Sequence, residues 1–194
     1  GFKLAERAVT LMKNDRVLPF NPSSGSHIVF FAPSDQTLVS MKSAIQWALG
    51  VRGVPNVAVK GFIYRDLKGL TAEQKYVLDR AHFVIHATCS YSDQERDLLT
   101  GRTALFSVDL VNYALAENKP LAVMAVGDPY DIAFMPGIKA YLALYGVPTG
   151  PSVTAGVNTI FGLNRPAGRL PVPIPAAGGG GVLFPEGYGL GYAQ

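Results

Sequence analysis

Phe83-Val84-Ile85-His86-Ala87-Thr88 and Pro120-Leu121-Ala122-Val123-Met124-Ala125-Val126 decide the fold. Each is a short run with almost no polar interruption. A strand with one wet face alternates apolar and polar positions, whereas a strand covered on both faces reads as a near-continuous apolar run. The stretch between them, 104–117, has the apolar periodicity of a helix. Strand, helix, strand, with both strands buried, predicts a parallel pair joined by a crossover helix.

Working outward, the same unit recurs. Residues 27–32 form another apolar run, followed by helical spacing over 36–49 that includes Leu38, Met41, Ile45 and Trp47. Residues 56–62 read as a weaker strand, 72–81 as a helix, 139–145 as a strand and 152–161 as a helix. At the amino end Leu4, Ala5, Ala8, Val9, Leu11 and Met12 fall at helical spacing, and the run stops at Lys13-Asn14-Asp15. This predicts a helix over 4–12. The expected architecture is α/β: a three-layer αβα sandwich with a mainly parallel, open sheet of five or six strands, flavodoxin-like. Right-handed crossovers place helices on both faces. From residue 162 the texture changes to Gly and Pro, with Gly178-Gly179-Gly180-Gly181 as a loop. An extended tail over 162–194, lying on the sheet edge, is expected. The chain, 1–194, reads as a single domain with its core in 4–161.

Composition narrows the class. With 194 residues, 48% apolar and 16% charged, the chain can build a full core and is not disordered. So little charge also predicts that part of the surface is hidden against a partner. The net charge is +3, and the 17 Lys and Arg are scattered without runs, the pattern of ordinary solvated charge rather than of a nucleic-acid face. The one cysteine, Cys89, excludes an intrachain disulfide and reads as a buried thiol. No apolar run is long enough to span a membrane as a helix. The opening Gly1-Phe2-Lys3, with no Met, reads as a processed or excised chain.

In open α/β sheets ligands gather at the carboxyl ends of the strands. Four post-strand loops therefore matter: Pro33-Ser34-Asp35, Tyr64-Arg65-Asp66, Ser90-Tyr91-Ser92-Asp93 and Gly127-Asp128-Pro129-Tyr130-Asp131. Asp35 and Asp93 also fit as helix N-caps. Asp128, Tyr130 and Asp131 fit a rigid loop reaching a sugar hydroxyl, or a capped turn. Tyr64, Tyr91 and Tyr130 fit sugar stacking, the mark of a stand-alone carbohydrate-binding module, or boundary packing. His27, His82 and His86 have no metal-ligand spacing and read as structural. No nucleophile elbow, phosphate loop or dinucleotide loop is present, so no cofactor and no metal are expected.

Three segments carry a resemblance. The first is Ala5-Glu6-Arg7-Ala8-Val9-Thr10-Leu11-Met12-Lys13-Asn14-Asp15 with Val17-Leu18-Pro19. The second is Gly127-Asp128-Pro129-Tyr130-Asp131-Ile132. The third is 161–175, containing Pro166-Ala167-Gly168-Arg169-Leu170-Pro171, with Phe184-Pro185-Glu186-Gly187-Tyr188-Gly189-Leu190-Gly191-Tyr192. In this order they resemble the C-terminal domain of family 3 glycoside hydrolases over about 4–192. The second is similar to an Asn-Pro-Tyr-Asp segment of the bacterial β-N-acetylglucosaminidase branch, with Asp128 in place of the asparagine.

The resemblance implies an accessory domain packed on an N-terminal (β/α)8 barrel that carries the nucleophile and, in that branch, the acid/base. It implies no catalytic residue in this chain. Substrate-cleft candidates are Asp128, Tyr130, Asp131, Tyr91 and Asp93. In the β-glucosidase branch a glutamate of this domain can act as acid/base, and Glu95 is the only candidate by location, though the role is not assigned to it. The implied partners are the barrel and an N-acetylglucosamine-containing glycan, with neither nucleic acid nor membrane contact. Location is not fixed by the sequence, an extracytoplasmic parent being the expectation. Retaining hydrolysis needs two groups about 5 Å apart across one bond, and no spacing here forces such a pair together.

Overall fold

Successive residues of each central strand enter opposite cores. The structure, a computed structural model, describes residues 2–64, 69–91, 102–146 and 150–193. Its helices are α1 (Phe2–Ala8), α2 (Asp35–Val51), α3 (Ala72–Leu78), α4 (Arg102–Ala116) and α5 (Pro151–Ile160). Its strands are β1 (Thr10–Asn14), β2 (His27–Ala32), β3 (Ala58–Ile63), β4 (Phe83–Thr88), β5 (Leu121–Ala125), β6 (Ala140–Ala143), β7 (Ile174–Pro175) and β8 (Val182–Phe184). Ile28 and Phe30 of β2, Ile85 and Ala87 of β4, and Ala122 and Met124 of β5 join one core with α2 and α5. Val29 and Phe31, Val84, and Val123 and Ala125 join a second core with α3, α4 and the tail. Two-sided burial is what non-alternating strands demand.

The main sheet has six strands in the order β1-β6-β5-β4-β2-β3. All neighbours are parallel except β1, which runs antiparallel to β6. The mainly parallel αβα sandwich is therefore the fold. The strand order changes direction between β2 and β4, so the switch-point crevice opens beyond Ala32 and Thr88.

The expected helix over 4–12 is corrected. Helix α1 ends at Ala8, and Thr10–Asn14 is a strand. Val9, Leu11 and Met12 are buried, whereas α1 buries no residue at all. Leu11 and Met12 lie in opposite cores, so strand alternation, set by pairing with β6, overrides the helical spacing of the sequence.

The two terminal signature segments meet at this edge. Gly168 N–H donates to Val9 O (3.0 Å) and Leu190 N–H to Leu11 O (2.8 Å), which carries the sheet edge one rung into the tail. A Cβ on Gly168 would sit 2.4 Å from Thr10 Oγ1 and 2.7 Å from Val9 O, so only glycine allows the approach. Arg169 donates to Gly189 O (3.1 Å), tying the two tail segments together. Asn14 locks the turn after β1: its Oδ1 accepts from Val17 N (3.1 Å) and Leu18 N (2.9 Å), and its Nδ2 donates to Leu18 O (3.0 Å). These motif residues hold structure. No described helix is long and apolar enough to cross a membrane. Cys89, read as a buried thiol, is only half-buried against the first core.

Candidate functional site

Beyond the carboxyl ends of β4 and β5 the two chains continue side by side. Val126 N–H donates to Thr88 O (2.8 Å) and Asp128 N–H to Ser90 O (3.0 Å). Gly127 stands at this crossing. A Cβ there would lie 2.8 Å from Ser90 N and 2.9 Å from Ser90 O, so the glycine lets the loops touch. Asp128 is extended (φ −70°, ψ 140°), as a residue before proline prefers, and Pro129–Phe134 then form a 3-10 helix.

Tyr141 of β6 pins this turn from beneath. Fully buried, it donates to Pro129 O (3.2 Å) and to Asp131 Oδ1. Asp131 is itself 1% exposed, so its carboxylate faces the interior and orients the turn. Asp128 and Tyr130 are half-exposed on the rim. The loop thus divides its two acids between an anchor and an open position.

Tyr145, just past β6, completes the rim and was not singled out in the sequence, where it reads as the last residue of a strand. The strand instead ends at Ala143, and Tyr145 turns into the left-handed region (φ 50°), uncommon for a residue with a side chain. Burial, with Tyr130 and then Asp128 nearby, pushes its phenol up to about 12. The hydroxyl is therefore a neutral donor near pH 7. Asp128, Tyr130 and Tyr145 form one group of a carboxylate and two phenols. A groove runs from Tyr130 and Phe134 to the tail loop at Ala177 and Gly178.

The other sequence candidates scatter. Tyr91, 57% exposed, follows β4 beside this group in the chain path. Asp93, Glu95, Arg65 and Asp66 lie outside the described residues. Of the two readings of Tyr64 the structure takes packing: it is 2% exposed, donates to Ala87 O (2.8 Å) and lies flat on Phe106 (4.8 Å, 9°). Asp35 is corrected as a cap. Ser34 caps α2, its hydroxyl accepting from Thr37 N (3.2 Å), and Asp35 stands in the first turn. His86 lies fully buried among Phe31, Tyr64 and Phe106 with Nε2 2.7 Å from Ser107 Oγ, and burial lowers its pKa to about 3.

Chemically, the rim suits hydroxyl-rich ligands. A carboxylate accepts hydroxyl protons, and a neutral phenol donates and offers an apolar ring face. Among the described residues it does not offer two open carboxylates across a bond, because Asp131 is committed to Tyr141. Among the described residues no group of three His, Cys, Asp or Glu is placed to hold a metal ion.

The sequence model of the glycosyl hydrolase family 3 C-terminal domain matches residues 9–192. No curated protein is matched. Among solved structures, a fungal multi-domain GH3 β-N-acetylglucosaminidase with a GCN5-related glucosamine N-acetyltransferase region is 27% identical. It covers 94% of this chain and 19% of its own, at a TM-score of 0.66. A GH3 exo-β-xylosidase, solved with a xylobiose aziridine probe, is 17% identical over 100% of this chain and 31% of its own, at 0.68. A GH3 β-N-acetylglucosaminidase from Paenibacillus sp. str. FPU-7 is 15% identical over 86% and 30%, at 0.57. The chain thus spans between about a fifth and a third of the length of these structures.

Proposed function

This chain belongs to the glycosyl hydrolase family 3 C-terminal domain family, and from that premise we propose that it serves a β-N-acetylglucosaminidase-like glycosidase as an accessory domain. In this reading it packs on an N-terminal (β/α)8 barrel, lines the outer side of the substrate cleft and cleaves no bond by itself. The observation that carries the proposal is the coverage. The fungal relative matches 94% of this chain with only 19% of its own length, so most of that enzyme has no counterpart here.

The rim gives the proposal its chemistry. Asp128, Tyr130, Tyr145 and Tyr91 would meet the hydroxyl and amide groups of an N-acetylglucosamine-containing glycan, with Asp131 and Tyr141 holding the turn rigid behind them. A cleft wall of this kind works by position: a group held within a few tenths of an ångström contributes far more than one that must be ordered on binding. Val39, Trp47 and Val51 stand exposed along α2, which supports the expectation of a surface covered by a partner.

The test is turnover. The isolated chain, freed of contaminating glycosidase, is expected to leave nitrophenyl β-N-acetylglucosaminide intact. Hydrolysis at enzyme-like rates that tracks the purified chain would overturn the proposal.

A further inference from the structure

At the opposite end of the sheet, beneath the first residues of β4 and β5 and the segment entering β6, lies a half-enclosed cavity of about 240 Å³. That volume lies just below the usual range of small-molecule sites, roughly 300–1,000 Å³, and suits a ligand of small size. The floor is apolar, built from Phe83, Val111, Leu121 and Ile138. Among the described residues the lining carries three cations, Arg16, Lys119 and Lys139, against a single acid, Asp15.

The backbone around Arg16 and Lys139 is fixed, while their side chains stand exposed. The turn bearing Arg16 is locked by the Asn14 side chain through Val17 N and Leu18 N. Asp15 N–H donates to Lys139 O (2.7 Å), which ties that turn to the segment entering β6. Lys119 Nζ donates to Asp79 O (2.9 Å) and Ala81 O (3.0 Å). Asp15 is taken by Lys13 at 3.6 Å. Among the described residues neither Arg16 nor Lys139 has a carboxylate partner. Arg16 keeps a positive φ of 62° at the cavity mouth, uncommon for a residue with a side chain.

We infer that this cavity is a second binding site, for a small amphiphilic monoanion whose apolar body lies on Phe83, Val111, Leu121 and Ile138 and whose carboxylate meets Arg16 and Lys139. The site is independent of the rim at the carboxyl ends and of the accessory role proposed above. Apolar contact supplies most of the attraction, and the paired cations select the charge.

Octanoate titrated into the full chain, followed by amide NMR shifts, tests it, with 1-octanol as the uncharged probe. Octanoate is expected to saturate near 1 mM, moving the amides of Phe83, Leu121 and Ile138, and octanol to bind about tenfold more weakly. Replacing both Arg16→Gly and Lys139→Gln should weaken octanoate about tenfold while leaving octanol unchanged. Glycine suits the positive φ, so the pair should fold. Should its melting temperature nonetheless fall, Lys139→Gln alone is expected to weaken octanoate about threefold. Absence of saturation by about 10 mM, equal affinity for octanol, shifts confined elsewhere, or unchanged octanoate affinity in the folded variants would overturn the inference.

Discussion

The edge where the tail meets β1 and the rim around Asp128 are both built from motif residues, yet they use them differently. At the edge, Gly168, Arg169, Asn14 and Leu190 make backbone approaches and hydrogen bonds that close the sheet. At the rim, Gly127, Pro129, Tyr141 and Asp131 perform the same closing work, while Asp128, Tyr130 and Tyr145 stand partly open to solvent. The most recognisable segments of this chain therefore report its fold. The residues proposed to meet a ligand are those that the scaffold leaves partly exposed.

If that division is right, changes at closing residues cost stability and changes at open residues do not. The largest effect is expected from pH acting at His86, below the rim on β4. Its folded pKa of about 3 lies below the ordinary 6.5, so the unfolded chain binds one more proton between those values. The neutral imidazole's contribution is intact above pH 6.5 and is lost as pH falls toward 3, by a total on the order of 5 kcal/mol. Urea unfolding across this range should show the slope, and His86→Asn should remove one proton's worth of it. An unchanged slope in the variant would place His86 outside the sealed core.

Next comes Gly168→Val, which forces β1 and the tail apart and should cost about 3 kcal/mol in chemical unfolding. Tyr141→Phe should cost about 2 kcal/mol, because the buried Asp131 carboxylate loses its phenol donor. The smallest effect is expected for Asp128→Asn, within about 0.5 kcal/mol of the parent stability. In an enzyme that also carries a barrel, the same change should raise KM for a chitooligosaccharide, a shift that a purely structural residue would not produce without a loss of stability. If Asp128→Asn unfolds the chain as readily as Tyr141→Phe, the division between closing and open residues fails.

The sheet was legible wherever apolar runs were pure. Residues 27–32, 83–88 and 120–126 have no helical alternative of sufficient length, and β2, β4 and β5 fall within them. The first strand was not legible, because Leu4, Ala8 and Leu11 satisfy helical spacing equally well. What decides for a strand is the pairing of Thr10 with Ala143 and Leu11 with Leu142, more than 130 residues away. The rim was half legible. A proline-bearing acidic loop after a buried strand marked residues 127–131, but nothing local separates Asp131 from Asp128. That separation comes from Tyr141 on the next strand. Tyr145 escaped because its strand ends two residues earlier than the apolar pattern suggests, and Tyr64 stayed open between stacking and packing because a tyrosine after a strand reads the same whether its ring turns inward or outward. The amino-end cavity has no sequence signature, since its lining comes from four separate segments.

The account turns on which end of the parallel strands meets the sugar. A crystal structure of the barrel-bearing enzyme with an N-acetylglucosamine oligosaccharide measures this directly. The account predicts glycan oxygens within about 3.2 Å of Asp128 or the Tyr145 hydroxyl. A glycan seated with no atom of the carboxyl-end loops near it, or held across two acids of this chain alone, would contradict it.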